Sequence, residues 1–219
     1  MPCIVMPVYM MRLFIVLMFS LARKDGAEYR TFEHLEALPS VKSVWVLGEC
    51  PAQNYPKIVC IGARKNIYHR AYEILPQPYH PTRFLCPGGS WCGEDDQDRV
   101  QWRTHLALDM LSGLMYAQKM LPVNSTFVWL ENDAQFLPQN IPDYTQAPFS
   151  CYGTTKNYNG FRTVCFVLKN DKTLLSLIQC LVAKHMVMPA DWIVADCMTM
   201  PAYNAAKHLG KISTRIQNK

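Results

Sequence analysis

The sequence predicts a mixed α/β fold, a mostly parallel sheet flanked by helices. Short apolar runs alternate with longer segments whose apolar residues recur at helical spacing, the pattern of strands joined by helical crossovers. The first run, residues 13–22 (LFIVLMFSLA), carries no charge and no turn former, as a central strand buried on both faces requires. The 219 residues are 50% hydrophobic and 18% charged, enough apolar matter for one substantial core and too little charge for a disordered chain.

Residues 13–22 read as the first strand. The competing reading is a membrane anchor, but Pro2, Pro7 and Arg12 interrupt the apolar stretch that begins at Cys3. Residues 1–12 are set apart as an N-terminal apolar segment, a possible remnant of an anchor lying upstream of a truncated start. Residues 13–219 form one domain. A polar turn over 23–26 leads to a helix over 29–38, in which Phe32, Leu35 and Leu38 share a face and Pro39 ends the run. Two short β-branched strands follow over 44–47 and 58–61. Residues 75–98, rich in Pro, Gly, Cys and acids, read as a long functional loop. A long helix over 99–120 turns Leu106, Met110, Leu114 and Ala117 to one side. Residues 127–130 are a fourth strand, and 171–185 a helix with Leu174, Leu177, Ile178 and Leu181 facing the core.

The net charge of +5 is dispersed, without a dense basic block or a recognition motif, so nucleic acid is not an expected partner. Nine cysteines include no C-x-x-C pair, which argues against a ribbon or finger zinc site. Cys86 and Cys92 flank a Pro-Gly-Gly-Ser-Trp loop and would staple it in an oxidising compartment; buried thiols are the other reading. Asn124-Ser125-Thr126 fits the N-glycosylation acceptor pattern. Its place just before a strand bearing candidate ligands argues against its use.

In parallel sheets ligands bind beyond the carboxyl ends of strands. Two segments meet that condition, 23–26 after the first strand and Glu131-Asn132-Asp133 after the fourth. Clustered carboxylates at a strand mouth offer hard oxygen ligands for Mn²⁺ or Mg²⁺; a solvated turn is the bland reading. Glu94-Asp95-Asp96 is more acidic, yet no strand precedes it, and it is assigned to capping the helix that follows.

Trp102-Arg103-Thr104, Leu108-Asp109, the helical Leu114-Met115-Tyr116-Ala117-Gln118 and Leu130-Glu131-Asn132-Asp133 occur in that order. Further on come Asn159-Gly160-Phe161 with 164–168, Met188-Pro189-Ala190-Asp191-Trp192-Ile193-Val194, and Lys207-His208-Leu209-Gly210 followed by Ser213-Thr214. This series resembles the N-acetylglucosaminyltransferase IV family (alpha-1,3-mannosyl-glycoprotein 4-beta-N-acetylglucosaminyltransferase-like), and covers its catalytic domain alone. Arg23-Lys24-Asp25-Gly26-Ala27-Glu28-Tyr29 is similar to the opening of the related transferases that add N-acetylgalactosamine to glycosylphosphatidylinositol anchors.

The resemblance implies a GT-A-like fold and an inverting, metal-dependent glycosyltransferase. Its donor would be a UDP-N-acetylhexosamine, N-acetylglucosamine first among them, and its acceptor a glycan on a glycoprotein or glycolipid. It would work in the Golgi or endoplasmic-reticulum lumen, with membrane anchoring open. Asp133 would bind Mn²⁺ or Mg²⁺ directly, with His208 as second ligand and Glu131 behind or on the ribose. Asn132 stands where the family has an Asp. Asp191 would be the general base, the rival reading being an N-cap for a helix over 192–198, with Asp196 as fallback. Arg23 would pair with the diphosphate, while Arg103 and Asp109 would line the uridine pocket. Lys156 and Arg162 flank the acceptor side. Two other classes remain: a catalytically inactive sugar- or nucleotide-binding relative, suggested by Asn132 and by an end at Lys219 ahead of the family's lectin module, and a membrane-anchored structural protein.

Overall fold

A computed structural model describes residues 14–20, 26–62, 82–85, 89–141, 147–153, 163–198 and 200–209. Along the chain run β1 (Phe14–Ser20), α1 (Ala27–Ala37), β2 (Val41–Gly48), β3 (Ile58–Gly62), β4 (Arg83–Leu85), β5 (Trp91–Glu94) and α2 (Gln97–Met120). Then come β6 (Thr126–Leu130), β7 (Ala134–Phe136), a single 3-10 turn, β8 (Phe149–Gly153), β9 (Thr163–Lys169), α3 (Lys172–Lys184), α4 (Ala190–Cys197) and β10 (Ala202–His208). An eight-stranded sheet takes the order β3-β2-β1-β6-β9-β8-β10-β7, and β4 with β5 makes a separate hairpin.

The apolar run that opens the chain is a central strand. Its alternate side chains serve two cores, because successive residues of a strand point to opposite faces. Val16 and Met18 pack with Phe32 and Leu35 of α1, while Leu17 packs on the other face with Met110 and Leu114 of α2. All three strand residues are buried. Among the described residues no helix is long and apolar enough to cross a membrane; residues 1–12 lie outside them.

The result is a three-layer mixed α/β fold, with α1 against one face and α2, α3 and α4 contributing to the core of the other. It is compatible with the expected GT-A-like layout. Parallel pairing is confined to β3, β2, β1 and β6 and to β8 with β10, whereas β9 runs antiparallel to both its neighbours and β7 antiparallel to β10.

Helix ends follow the capping chemistry of the sequence. Gly26 precedes α1 at φ 61°, a left-handed conformation that a Cβ would strain. Asp96 caps α2, accepting from the Arg99 amide at 2.9 Å, so the acidic cluster does cap this helix. Asp171 caps α3 through the amide and hydroxyl of Thr173. Burial raises the Asp171 carboxyl, but those hydrogen bonds, Lys169 and the Leu174 amide outweigh it and the pKa falls below the ordinary value. This stabilisation is therefore present above the usual aspartate pKa and is lost as pH drops through the lowered one.

The far end of α2 is closed from a distance. The Asn170 side-chain amide, in a buried residue, donates to the carbonyls of Leu121 at 2.7 Å and Gln118 at 3.2 Å. Replacing Asn170 with alanine strands these acceptors, and a loss of about 1–3 kcal/mol is expected. Thermal melting should register it as about 2–4 °C per kcal/mol. An unchanged midpoint would mean that water satisfies the carbonyls equally well.

Several expectations change. The loop foreseen over 75–98 contains the β4–β5 hairpin, in which a Cβ on Gly93 would lie 3.1 Å from the Phe84 ring. The hairpin docks on the segment before α4, with the Leu85 amide donating to the Val187 carbonyl at 2.7 Å. The described cysteines are paired rather than left as thiols. Cys50–Cys60 joins β3 to the end of β2, Cys151–Cys165 bridges β8 and β9, and Cys180–Cys197 ties α3 to α4. Their Cα separations of 6.0, 4.9 and 6.4 Å suit disulfides. Cys92 is disulfide-bonded as well, and residue 86 lies outside the described residues.

Candidate functional site

The sheet reverses its order at β1. From that strand the chain builds outward to β2 and β3 on one side, and later adds β6 on the other. In open α/β sheets ligands bind at such a switch point, beyond the carboxyl ends of the two flanking strands, here β1 and β6. Met18 is level with Leu130, so the two strand ends lie side by side.

The end of β6 delivers Glu131-Asn132-Asp133 into this position. The Glu131 amide bonds the Val164 carbonyl at 3.1 Å and the Ala134 amide returns to the Glu131 carbonyl at 3.3 Å, which closes a tight turn. Glu131 and Asn132 are half-buried and Asp133 is buried. The chain then enters β7, which pairs antiparallel with β10, and the register sets His208 opposite Ala134. Cα atoms so paired lie about 4.5–5.5 Å apart. One residue further, the Leu209 amide donates to the Asp133 carbonyl at 2.6 Å. The backbones of Asp133 and His208, far apart in sequence, are thus neighbours; the His208 side chain lies outside the described residues.

Helix α1 holds this edge from the other side. Arg30 Nη2 donates to the Leu209 carbonyl at 3.1 Å, and His34 Nε2 meets the Phe136 carbonyl at 2.6 Å. Gln135 Nε2 reaches His34 Nδ1 at 3.3 Å, which identifies the Nε2-protonated tautomer as the one that satisfies both contacts. Glu28, in the first turn of α1, is also buried.

The remaining expected residues fall elsewhere. Arg103 and Asp109 are buried on α2. Arg103 Nε lies 2.6 Å from Asp95 Oδ2, and Arg99 Nε 3.0 Å from Asp95 Oδ1. The Arg103 guanidinium also sits 4.5 Å from the Phe84 ring centre, and Phe84 meets Trp192 edge-on at 5.6 Å. Arg103 therefore joins α2 to the hairpin and, through Phe84, to α4. Asp191 lies in the first turn of α4, with Pro189 as N-cap, so the helix starts two residues before the expected 192 and Asp191 is not its cap. Asp196 is bound to Lys184 of α3. Arg23, Lys156 and Arg162 lie outside the described residues.

Sequence reasoning missed Asp95 as an ionic partner; its spacing of four from Arg99 was the one local signal, while its contact with Arg103 comes from the docking of the hairpin. Nothing local marked Arg30, His34 or Gln135, whose roles come from the docking of α1 on β7.

Among the described residues no group of three or more His, Cys, Asp or Glu side chains is arranged to hold a metal ion. The donor chemistry at the end of β6 nonetheless suits a hard cation. Mg²⁺ and ions like it take one or two protein carboxylates and complete their shell with substrate phosphates and water.

No protein-family model matches the chain. No curated protein matches it either. A solved structure described as a transferase mutant superposes with a TM-score of 0.41 and 11% identity, covering 85% of this chain and 83% of that one. A likeness of that size leaves the function to be argued from the site itself.

Proposed function

We propose that the chain is a transferase of the GT-A type, which moves N-acetylhexosamine, N-acetylglucosamine first, from a UDP donor to a glycan with inversion. The observation that carries this reading is the acidic turn 131–133 at the end of a switch-point strand, with the end of β10 beside it. Asp133 and His208 would hold Mn²⁺ or Mg²⁺, and Glu131 would contact the ribose. When bound, the cation offsets the negative charge that grows on the leaving diphosphate. Asp191, at the start of α4 and next to Trp192, would take the proton of the acceptor hydroxyl. Arg23 is the proposed partner of the diphosphate. Arg103 serves the same site at one remove, by fixing the hairpin against α4. The disulfides support a setting in the oxidising Golgi or endoplasmic-reticulum lumen.

Asn132 favours a second reading, an inactive binding protein, because an amide removes one negative charge from the turn. Melting the chain with UDP-N-acetylglucosamine and Mn²⁺ separates the two. A ligand that binds the native state alone must raise the midpoint, so the transferase reading expects a rise that needs both components, together with release of UDP. A rise without release identifies the inactive protein. No rise with any UDP-sugar rejects both.

A further inference from the structure

We propose that Asn124 is an N-glycosylated residue, carrying one glycan at the end of the sheet opposite the candidate site. Asn124-Ser125-Thr126 is the single Asn-x-Ser/Thr acceptor pattern in the chain, and neither the middle nor the following residue is proline. Nearness to the acidic turn spoke against its use in the sequence. Geometry removes that objection. Asn124 precedes β6 and the acidic turn follows it, so the five residues of the strand, at about 3.3 Å each, separate the two.

The local structure suits a glycan. Asn124 occupies the left-handed region at φ 66°, in an exposed turn between α2 and β6. Its amide bonds the Asn170 carbonyl at 2.8 Å and the Ser125 carbonyl accepts from the Asn170 amide at 2.8 Å, so the turn is anchored by its backbone. Beside it, Val123 is 78% and Met120 51% exposed. A hydrophilic glycan there would shield apolar surface that is otherwise wet, without entering either core. Disulfide bonds joining β2 to β3, β8 to β9 and α3 to α4 indicate a chain that matures where such glycans are attached. The inference uses this lumenal setting and is independent of which reaction the protein performs.

The modification is a transfer from a lipid-linked oligosaccharide diphosphate. The bond between the sugar anomeric carbon and the diphosphate oxygen breaks and a bond from that carbon to Asn124 Nδ2 forms. Nδ2 gives up one proton, and the lipid diphosphate leaves.

The full chain, expressed in a eukaryotic cell behind a cleavable secretory signal, provides the test. Expected is one gel step that peptide-N-glycosidase removes, lost in Asn124→Gln and kept in Thr126→Ser, with peptide mass spectrometry locating the sugar on Asn124. Because Asn124→Gln alters a left-handed turn, Thr126→Ala is a second variant that must also lose the step. A chain that is secreted with its disulfides formed but carries no sugar on Asn124 overturns the proposal. So does a chain that is retained or degraded identically whether or not Asn124 is present, with no glycosylated form at any stage. Either outcome leaves the UDP-sugar experiment, and the reading it tests, untouched.

Discussion

Arg103→Met is expected to destabilise the chain by about 3 kcal/mol, near the lower end of what removing one member of a buried ion pair costs. Asp95 and Arg103 side chains are 4% and 6% exposed, so the substitution leaves a carboxylate inside the protein without its main counter-charge. Arg99 remains 3.0 Å from the other carboxylate oxygen, which sets the cost at that lower end, and the contact with Phe84 is lost as well. In a chain of this size the melting midpoint should fall by about 2–4 °C per kcal/mol. Removing both charges together, as Asp95→Asn with Arg103→Met, should cost less than the single change, since no isolated charge is then buried. If Arg103 acted on the uridine directly, the single variant would instead melt normally and show a raised donor KM.

Asp133→Asn is the second expected large effect, a fall in UDP-sugar turnover of about a thousandfold. That factor corresponds to the several kcal/mol that a bound cation supplies to a developing diphosphate. Asparagine is chosen over alanine because Asp133 is buried and its carbonyl is held by the Leu209 amide, so the side chain should be replaced at constant volume. The melting midpoint without ligand is the control. Turnover that stays at the parent level, with the fold intact, would remove Asp133 from the reaction and with it the whole assignment of the acidic turn. Asn132→Asp runs the other way: adding a negative charge should tighten Mn²⁺ binding if the turn meets the metal, and should change nothing if the turn is solvated.

Legibility along the chain divides by the kind of residue. The run at β1, the helical faces of α1, α2 and α3 and the capping of α2 by the 94–96 cluster were readable because each rests on contacts within a few residues. Strand β10, whose sequence is AYNAAKH, has no such signal. It lacks a run of β-branched residues and takes its place because β8 and β7 offer free ladder positions on either side, a case where neighbours rather than propensity decide. The β4–β5 hairpin was hidden for the same reason, being short and exposed along β5.

The candidate site shows the same division. Residues 131–133 could be singled out in advance, since an apolar run followed at once by acids states both a strand and its end. That His208 stands across from Ala134 could not, because it depends on the pairing of β7 with β10. Nor could the placing of Arg103 against Asp95 and Phe84, which requires the hairpin to fold back over α2.

By itself, then, the sequence determined the α/β class, the buried first strand, the long helices and the acidic turn at a strand end. Tertiary structure alone decided where the sheet changes direction, which strands run against the rest, which cysteines meet and what lies beside the acidic turn. The physical reason is range. Side-chain periodicity and capping are set by neighbours within one or two turns of chain, whereas strand order and long-range pairing are chosen by the burial of whole faces, a property that no short window of residues contains.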